Sequence, residues 1–301
     1  MSFDLLIHLV LLLLLPPFLL GVVNKTKALF AGRKGPPWLQ VYYDLAKLVR
    51  KGSVFSRTTS WVFRAGPAVG LVTVILAGLM IPQGGHLAPV NFEGDLILVA
   101  YLLGLGRFFT VAAALDTGSA FEGMGSAREV TFSALTEPAL FLGLFVLVRS
   151  SHSLSLSRMF GDSLPQSLGV SGASLVLVLV SLFIVMLAEN SRIPVDDPET
   201  HLELTMIHEV MVLDHSGPAF GMILYSAAVK FFVLGALVAR LAVPFDVGLW
   251  AWPVFMLATL GVAVLVGVVE SVMARLRMVH VPSLLIAACL LSAFGVVLLV
   301  R

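Results

Sequence analysis

Ionisable side chains inside stretches of sequence that are apolar enough to cross a lipid bilayer include Arg107, Glu137, Lys230 and Glu270. A charge at the centre of a membrane helix costs about 2.5 to 3.5 kcal/mol on insertion scales, so each residue is a candidate for function. Carboxylates and amines in such places can bind protons and pass them on. Arg107 and Glu137 could instead simply pair across two helices. Glu270 comes at the end of its stretch, where we expect water to solvate it.

A second set of candidates is the acidic segment between the fifth and sixth apolar stretches. Counted together with Glu189 at the end of the fifth stretch, it has seven carboxylates against the single cation of Arg192: Glu189, Asp196, Asp197, Glu199, Glu203, Glu209 and Asp214. Like charges in one place repel one another and raise some pKa values toward neutrality, which suits groups that take up protons. The alternative is a solvated acidic surface that pairs with the basic first loop.

Three histidines recur every seven residues in the same segment: His201, His208 and His215. Metal chelation by a helix favours histidines four residues apart, so titratable or merely polar histidines are favoured over a metal site. Asp197 and His201 are four residues apart and could form a coupled pair.

The elements that position these residues are membrane helices. Hydrophobic residues make up 58% of the 301-residue chain and charged residues 12%, and the mean hydropathy is +1.00. Backbone groups in lipid must bond internally, so long apolar runs are expected to be helices. We predict an all-α protein with one transmembrane domain over 1–301 and eight spans: 3–23, 61–82, 94–115, 132–150, 171–189, 218–240, 247–270 and 281–300.

Basic residues predict the orientation of these spans. The segment 24–64 contains nine lysines and arginines, and such residues accumulate in cytoplasmic loops. We therefore expect 24–60 and 190–217 to be cytoplasmic loops, with both termini on the outer, periplasmic side.

The first loop is predicted to contain an amphipathic helix. Apolar side chains recur there at helical spacing: Trp38, Val41, Tyr42, Leu45 and Leu48. The break at Gly35, Pro36 and Pro37 precedes them, and Lys47 lies near their end. Such a helix fits either an anionic membrane surface or a partner subunit.

Several classes of function are disfavoured. The formal charge of +1 gives no field for nucleic acid. Cys289 is the only cysteine, whereas iron–sulfur clusters need about four thiolates. His8 stands alone in the first span and is expected to be a packed polar residue. We therefore expect no catalytic residue, metal site or cofactor on this chain.

Three stretches of sequence resemble the subunit 1 family of respiratory complex I, and more closely its branch in energy-converting hydrogenases and formate hydrogenlyases. The first stretch is 32–47, which holds Gly35-Pro36. The second runs from Leu115 through Arg128-Glu129 to Glu137-Pro138, and the third runs from Ala188 to Leu204. The likeness covers essentially the whole chain, including the eight spans with both ends outside.

The resemblance implies roles for particular residues. The first loop would dock a peripheral arm through Arg33, Gly35, Pro36, Gln40, Asp44 and Lys47. A proton route would include Glu137, Glu189, Asp196, Glu199, Glu203 and Lys230. Their positive partners would be Arg128 and Arg192, beside the Arg107 already noted. His201 and Asp214-His215 replace acidic and Glu-Tyr positions of the family, which weakens a quinone-site interpretation.

These implications together predict the membrane-anchor and proton-coupling subunit of a multisubunit redox complex in the cell inner membrane. Hydrogenase-like large and small subunits would carry iron–sulfur clusters and, in a true hydrogenase, a nickel–iron centre. Antiporter-like membrane subunits would be neighbours in the bilayer. The alternatives are a quinone-site subunit of a complex I-like NADH dehydrogenase, a stand-alone secondary transporter and a purely structural anchor.

Overall fold

The computed structural model describes residues 3–161, 163–196, 206–243 and 250–300, with the side chains of 163–171 and 300 excepted. These residues form helices and connecting turns, with no β-strand among them. The α-helices are α1 (Phe3–Phe30), α2 (Gln40–Val49), α3 (Trp61–Met80), α4 (Asp95–Asp116), α5 (Ala120–Ser151), α6 (Leu156–Met159), α7 (Ser163–Glu189), α8 (Gly217–Ala242), α9 (Ala251–Val272) and α10 (Val281–Val300). Two 3₁₀ turns lie at Glu209–Val212 and Met278–His280.

Eight of the described helices are long and apolar enough to cross a membrane, namely α1, α3, α4, α5, α7, α8, α9 and α10. The prediction of an all-helical protein with eight candidate spans is therefore confirmed. Some boundaries were wrong, because α1 continues to Phe30 and α5 begins at Ala120, twelve residues before the predicted span. Hydropathy marks the part of a helix that lies in lipid. The helix itself continues into polar sequence wherever its main-chain N–H and C=O groups can still form helical hydrogen bonds.

α8 is the most buried of these eight helices and forms the centre of the bundle. It packs against α1, α3, α7 and α9, while α5, α7 and α10 pack together beside it. Buried serines join α7 to α10: Ser181 donates to the carbonyl of Ala288, and Ser292 donates to Ser181 at 2.7 Å. These bonds satisfy hydroxyl groups that would be costly to leave unpaired in an apolar interior.

The amphipathic helix α2 lies against α1 and α8 of its own chain. Trp38, just before it, stacks on Phe18 of α1 with ring centroids 6.3 Å apart. Its Tyr42 hydroxyl donates to the carbonyl of Leu14 in α1. The apolar face predicted for this helix is therefore directed at the bundle, and its basic residues remain exposed.

A tyrosine also meets α1 where two consecutive prolines interrupt the helix. Pro17 has no N–H for the carbonyl of Leu13, and the Tyr225 hydroxyl of α8 donates to that carbonyl at 2.7 Å. Together with Tyr42, this bond ties the middle of α1 to α2 and α8.

Candidate functional site

The guanidinium of Arg107 in α4 lies among three carboxylates that come from two other helices. Its Nη2 donates to Glu189 Oε1 at 2.6 Å, and its Nε is 3.5 Å from Glu129 Oε1. Its Nη1 donates to Glu137. Arginine suits this position because its planar group can donate to several carboxylates at once and stays protonated.

A second cation reaches Glu189 from the centre of the bundle. Lys230 Nζ lies 2.8 Å from Glu189 Oε2 and donates to the main-chain carbonyl of Glu189 at 2.7 Å. Thr136 of α5 donates to Glu189 Oε1 at 2.9 Å. Lys230 lies about 20 Å along α8 from the start of that helix at Gly217. Because Lys230 contacts Glu189, the last residue of α7, this helix ends at the level of the middle of α8.

We call Arg107, Glu129, Glu137, Glu189 and Lys230 the ion network. Two cations face three carboxylates in it, which leaves one negative charge without a counter-charge inside the group. A buried charge without a counter-charge is costly, although Glu137 is 48% exposed and so lies partly outside the buried interior. The group thus contains one carboxylate that could bind a proton without leaving a cation unpaired.

A cavity of about 70 Å³ adjoins the ion network between α3, α4 and α8. Arg107, Glu129 and Lys230 line it, together with His208 and His215 from the segment that precedes α8. This volume accommodates about two water molecules at their share of liquid volume. Polar groups on opposite walls could thus exchange protons through water.

The two histidines of the cavity have different surroundings. The ring of His215 is buried and stacks on Phe63 with centroids 3.9 Å apart, and burial lowers the pKa of His215 to about 4, although Asp214 opposes the shift. His208 keeps 31% of its side chain exposed, and its Nδ1 lies 3.6 Å from Glu129 Oε2. His208 therefore connects the surface of the segment to the ion network.

The segment 206–216 is held in place from two sides. Asp196 accepts hydrogen bonds from the N–H of Ile207 at 3.0 Å and of His208 at 3.4 Å, and it pairs with Arg275 at 2.8 Å. On the other side, Val210 packs against Gly125 of α5, where a Cβ would lie 2.3 Å from Val210 Cγ1. Glycine is required there because any side chain would displace the segment.

The structure brings together part of the predicted proton route. Glu137, Glu189, Lys230 and Arg107 meet in the ion network, so the predicted pairing of Arg107 with Glu137 exists but is one of three. Asp196 lies in the separate pair with Arg275. Glu199 and Glu203 lie outside the described residues, as do Asp197 and His201.

Two of the predicted positive partners, Arg128 and Arg192, lie outside the ion network. Arg128 donates to the carbonyl of Met206 at 2.9 Å. Arg192 bonds to Glu270 at 3.2 Å, and Lys27 of α1 lies 3.2 Å from the same carboxylate. The expectation that Glu270 is solvated was wrong, since its side chain is 0% exposed. The premise that the acidic residues repel one another also fails for Glu189 and Asp196, because each lies against cations.

The residues predicted to dock a partner lie at the surface around the start of α2. Gln40 donates to Asp44 at 2.9 Å along the exposed side of that helix. The exposed or half-exposed set is Arg33, Gly35, Pro36, Gln40, Asp44 and Lys47. Gly35 has φ +62°, a conformation that other residues rarely adopt.

Sequence reasoning missed Glu129 and Arg275 as members of the charged interior. Glu129 precedes the apolar run of the predicted span, yet it lies on α5, two turns before Glu137. Its spacing of eight residues from Glu137 was the available signal. Arg275 carries no local signal, because only the fold brings the segment after α9 to Asp196.

Eight candidate spans around a largely buried group of charges are the features of a multi-pass membrane protein. A family model described as NADH dehydrogenase matches residues 3–301. The chain belongs to this family, the complex I subunit 1-like family. The resemblance to that family and to its hydrogenase branch is thereby confirmed.

Two curated relatives from Escherichia coli (strain K12) cover most of the chain. Formate hydrogenlyase subunit 4 is 32% identical over 91% of this chain and 90% of its own length. Hydrogenase-4 component C is 31% identical over 89% of this chain and 86% of its own length. A chain of the membrane-bound sulfane sulfur reductase, an archaeal respiratory membrane complex, has the same fold, with a TM-score of 0.83, 20% identity and coverage of 98% of this chain and 99% of that chain.

Proposed function

We propose that this chain is the membrane-anchor and proton-coupling subunit of a multisubunit redox complex of the energy-converting hydrogenase or formate hydrogenlyase type. The type of complex is supported by two relatives that match nearly the full length of the chain, formate hydrogenlyase subunit 4 and hydrogenase-4 component C. In this role, the chain links electron transfer in a peripheral arm to ion movement in the bilayer.

The observation that carries the proposal is the ion network, in which three carboxylates share two cations deep in the span. Equal numbers of carboxylates and cations would indicate a purely structural role, because every buried charge would then have a counter-charge. The excess carboxylate instead gives the network a place for one exchangeable proton. A change of charge nearby shifts that occupancy by direct electrostatics.

Glu137 is the member of the ion network that reaches the outer side of the helix bundle, the surface that would face lipid or a neighbouring subunit. Its side chain is 48% exposed, and it lines a groove of about 300 Å³ between α4 and α5, more than about 20 Å along α5 from either end. A carboxylate facing lipid at this depth is costly. This favours a neighbouring membrane subunit over the groove, and we propose an antiporter-like subunit that receives the proton there.

The orientation follows from the basic first loop. With 24–60 and the acidic segment 190–217 on the cytoplasmic side of the cell membrane, both termini lie outside. The peripheral hydrogenase-like subunits then dock on these two loops through the exposed residues around α2. The iron–sulfur clusters, and a nickel–iron centre where hydrogen is the product, belong to those subunits.

The size of the cavity supports proton coupling over quinone binding at this position. Its volume of about 70 Å³ is smaller than a small-molecule pocket, which is roughly 300 Å³ or more. Water fits this volume, and a substituted quinone ring does not.

The test uses the intact complex, purified through a tag on this chain and placed in lipid vesicles. Reduced methyl viologen supplies electrons, hydrogen production reports electron flow, and a pH-sensitive dye reports proton transfer. Glu137→Gln and Glu189→Gln are expected to abolish proton transfer while the complex still assembles. Glu93→Gln, an exposed carboxylate paired with Arg158, is the matched control. Normal proton transfer in both network variants would refute the proposal.

A further inference from the structure

We propose that His208 is the residue through which protons enter the ion network, by transfer from the water-facing side of its segment to the carboxylate of Glu129. The proposal rests on the proton-coupling function proposed above and adds to it an entry residue.

The position of His208 is the first argument. Among the described titratable side chains that line the cavity, it combines an exposed surface of 31% with a contact to the network, since its Nδ1 lies 3.6 Å from Glu129 Oε2. Glu129 is 12% exposed, and its Oε1 lies 3.5 Å from Arg107 Nε. The chain of contacts thus runs from the surface to Glu189 and Glu137 by way of one histidine.

The chemistry of the ring is the second argument. Imidazole gains and loses a proton near neutral pH, and it has two nitrogens that can act on opposite sides. The neutral ring with its proton on Nδ1 takes a second proton from water at Nε2, and the Nδ1–H then gives its proton to the carboxylate of Glu129. The ring is left protonated at Nε2, and loss of that proton to water with reprotonation at Nδ1, or rotation of the ring, restores the starting tautomer. His215 is less suited to this step, because it is buried against Phe63 and favours the neutral form.

The charge balance is the third argument. The ion network carries one more carboxylate than cation, so a charged His208 beside Glu129 neutralises the group. Transfer of the proton from His208 to Glu129 leaves the total charge of histidine and network unchanged. Such a step avoids the creation of an uncompensated buried charge. Other charges around His208 are Arg107, Lys230 and Asp196.

The distance makes this step sensitive to the position of the segment. A separation of 3.6 Å is an ion-pair distance and exceeds that of a hydrogen bond, so transfer requires an approach of a few tenths of an ångström. The His208 backbone is held by Asp196, which Arg275 holds in turn. A small shift of this anchor therefore opens or closes the entry.

The same vesicle system tests the inference with His208→Ala, His208→Gln and Glu129→Gln. Loss of the ring is expected to lower proton transfer per electron by about 100-fold, as for other positioned proton-transfer groups. Added imidazole is expected to restore transfer in His208→Ala, because the site is open to water, and to leave Glu129→Gln inactive. His86→Gln, which changes a histidine stacked on Trp252 outside the cavity, is expected to behave as wild type.

The outcomes separate the two proposals. Normal proton transfer in both His208 variants, with none in Glu189→Gln, would overturn the entry residue and leave the coupling function in place. Loss of transfer in His208→Ala without rescue by imidazole would also overturn it, because a purely structural role predicts that result. Normal transfer in Glu189→Gln as well would mean that the coupling function itself has failed.

Discussion

Lys230 holds Glu189 by two different groups, since its Nζ lies 2.8 Å from the carboxylate and 2.7 Å from the main-chain carbonyl of the same residue. The ammonium therefore stabilises both the buried charge and the C-terminal end of α7, whose last carbonyls have no partner within the helix. This contact fixes the depth at which α7 ends and places Glu189 beside Arg107.

We expect Lys230→Met to destabilise the protein by about 3 kcal/mol, because Glu189 keeps its buried charge and loses one of its two cations. Adding Glu189→Gln to the same chain should cost less than the sum of the two single changes. Unfolding of the four variants in detergent gives the coupling energy. Lys51→Met removes an exposed lysine and serves as the control. Strictly additive effects would show that the two side chains do not stabilise each other.

The buried His215 makes stability depend on pH. Its folded-state pKa of about 4 lies below the ordinary value of 6.5, so between these values the unfolded chain binds a proton that the folded protein does not. Stability is therefore full above about pH 6.5 and falls as the pH decreases toward 4, by about 3 kcal/mol in all. His215→Gln should flatten this part of the profile, as measured by thermal unfolding across that range.

The control for this profile is His152→Gln, which alters an exposed histidine and should leave the pH dependence of unfolding as in the wild type. An unchanged slope in His215→Gln would mean that other groups cause the acid sensitivity.

Two glycines of the first loop offer a matched pair. Both Gly32 and Gly35 have positive φ, near +65° and +62°, but a Cβ would meet nothing within 4 Å at Gly32 and would lie 2.4 Å from the Ala28 Cβ at Gly35. Gly32→Ala should thus cost about 1 kcal/mol from backbone strain alone. Gly35→Ala adds a steric clash and should cost distinctly more. Equal unfolding midpoints for the two variants would contradict this account.

The same pair tests the docking surface. Because Gly35 sets the path of the chain into α2, we expect Gly35→Ala to lower the amount of peripheral subunits that copurify with this chain, while Gly32→Ala retains them. Quantitative immunoblots of the purified complex measure the ratio. A full complement of partners in Gly35→Ala would indicate that the first loop does not contribute to docking.

The number of candidate spans, the amphipathic helix and the charged residues that are costly to bury in lipid could all be predicted from the sequence alone. Long apolar runs permit only helices in lipid, and a charge inside such a run is conspicuous wherever the helix packs. Arg107, Glu137 and Lys230 could therefore be singled out without a structure. The family motifs were also local, because they consist of short runs such as Arg128-Glu129 and Glu137-Pro138.

Which of these charges meet depends on the tertiary structure. The partners of Arg107 are 22, 30 and 82 residues away along the chain, and Lys230 reaches Glu189 across 41 residues. Helix rotation and depth set these contacts, and neither is encoded in local spacing. For the same reason the sequence places Glu129 outside the predicted span and indicates a solvated Glu270, whereas the fold largely buries both carboxylates. The cavity beside His208 is lined by four helices and the segment 206–216, so its existence and its size follow from packing alone.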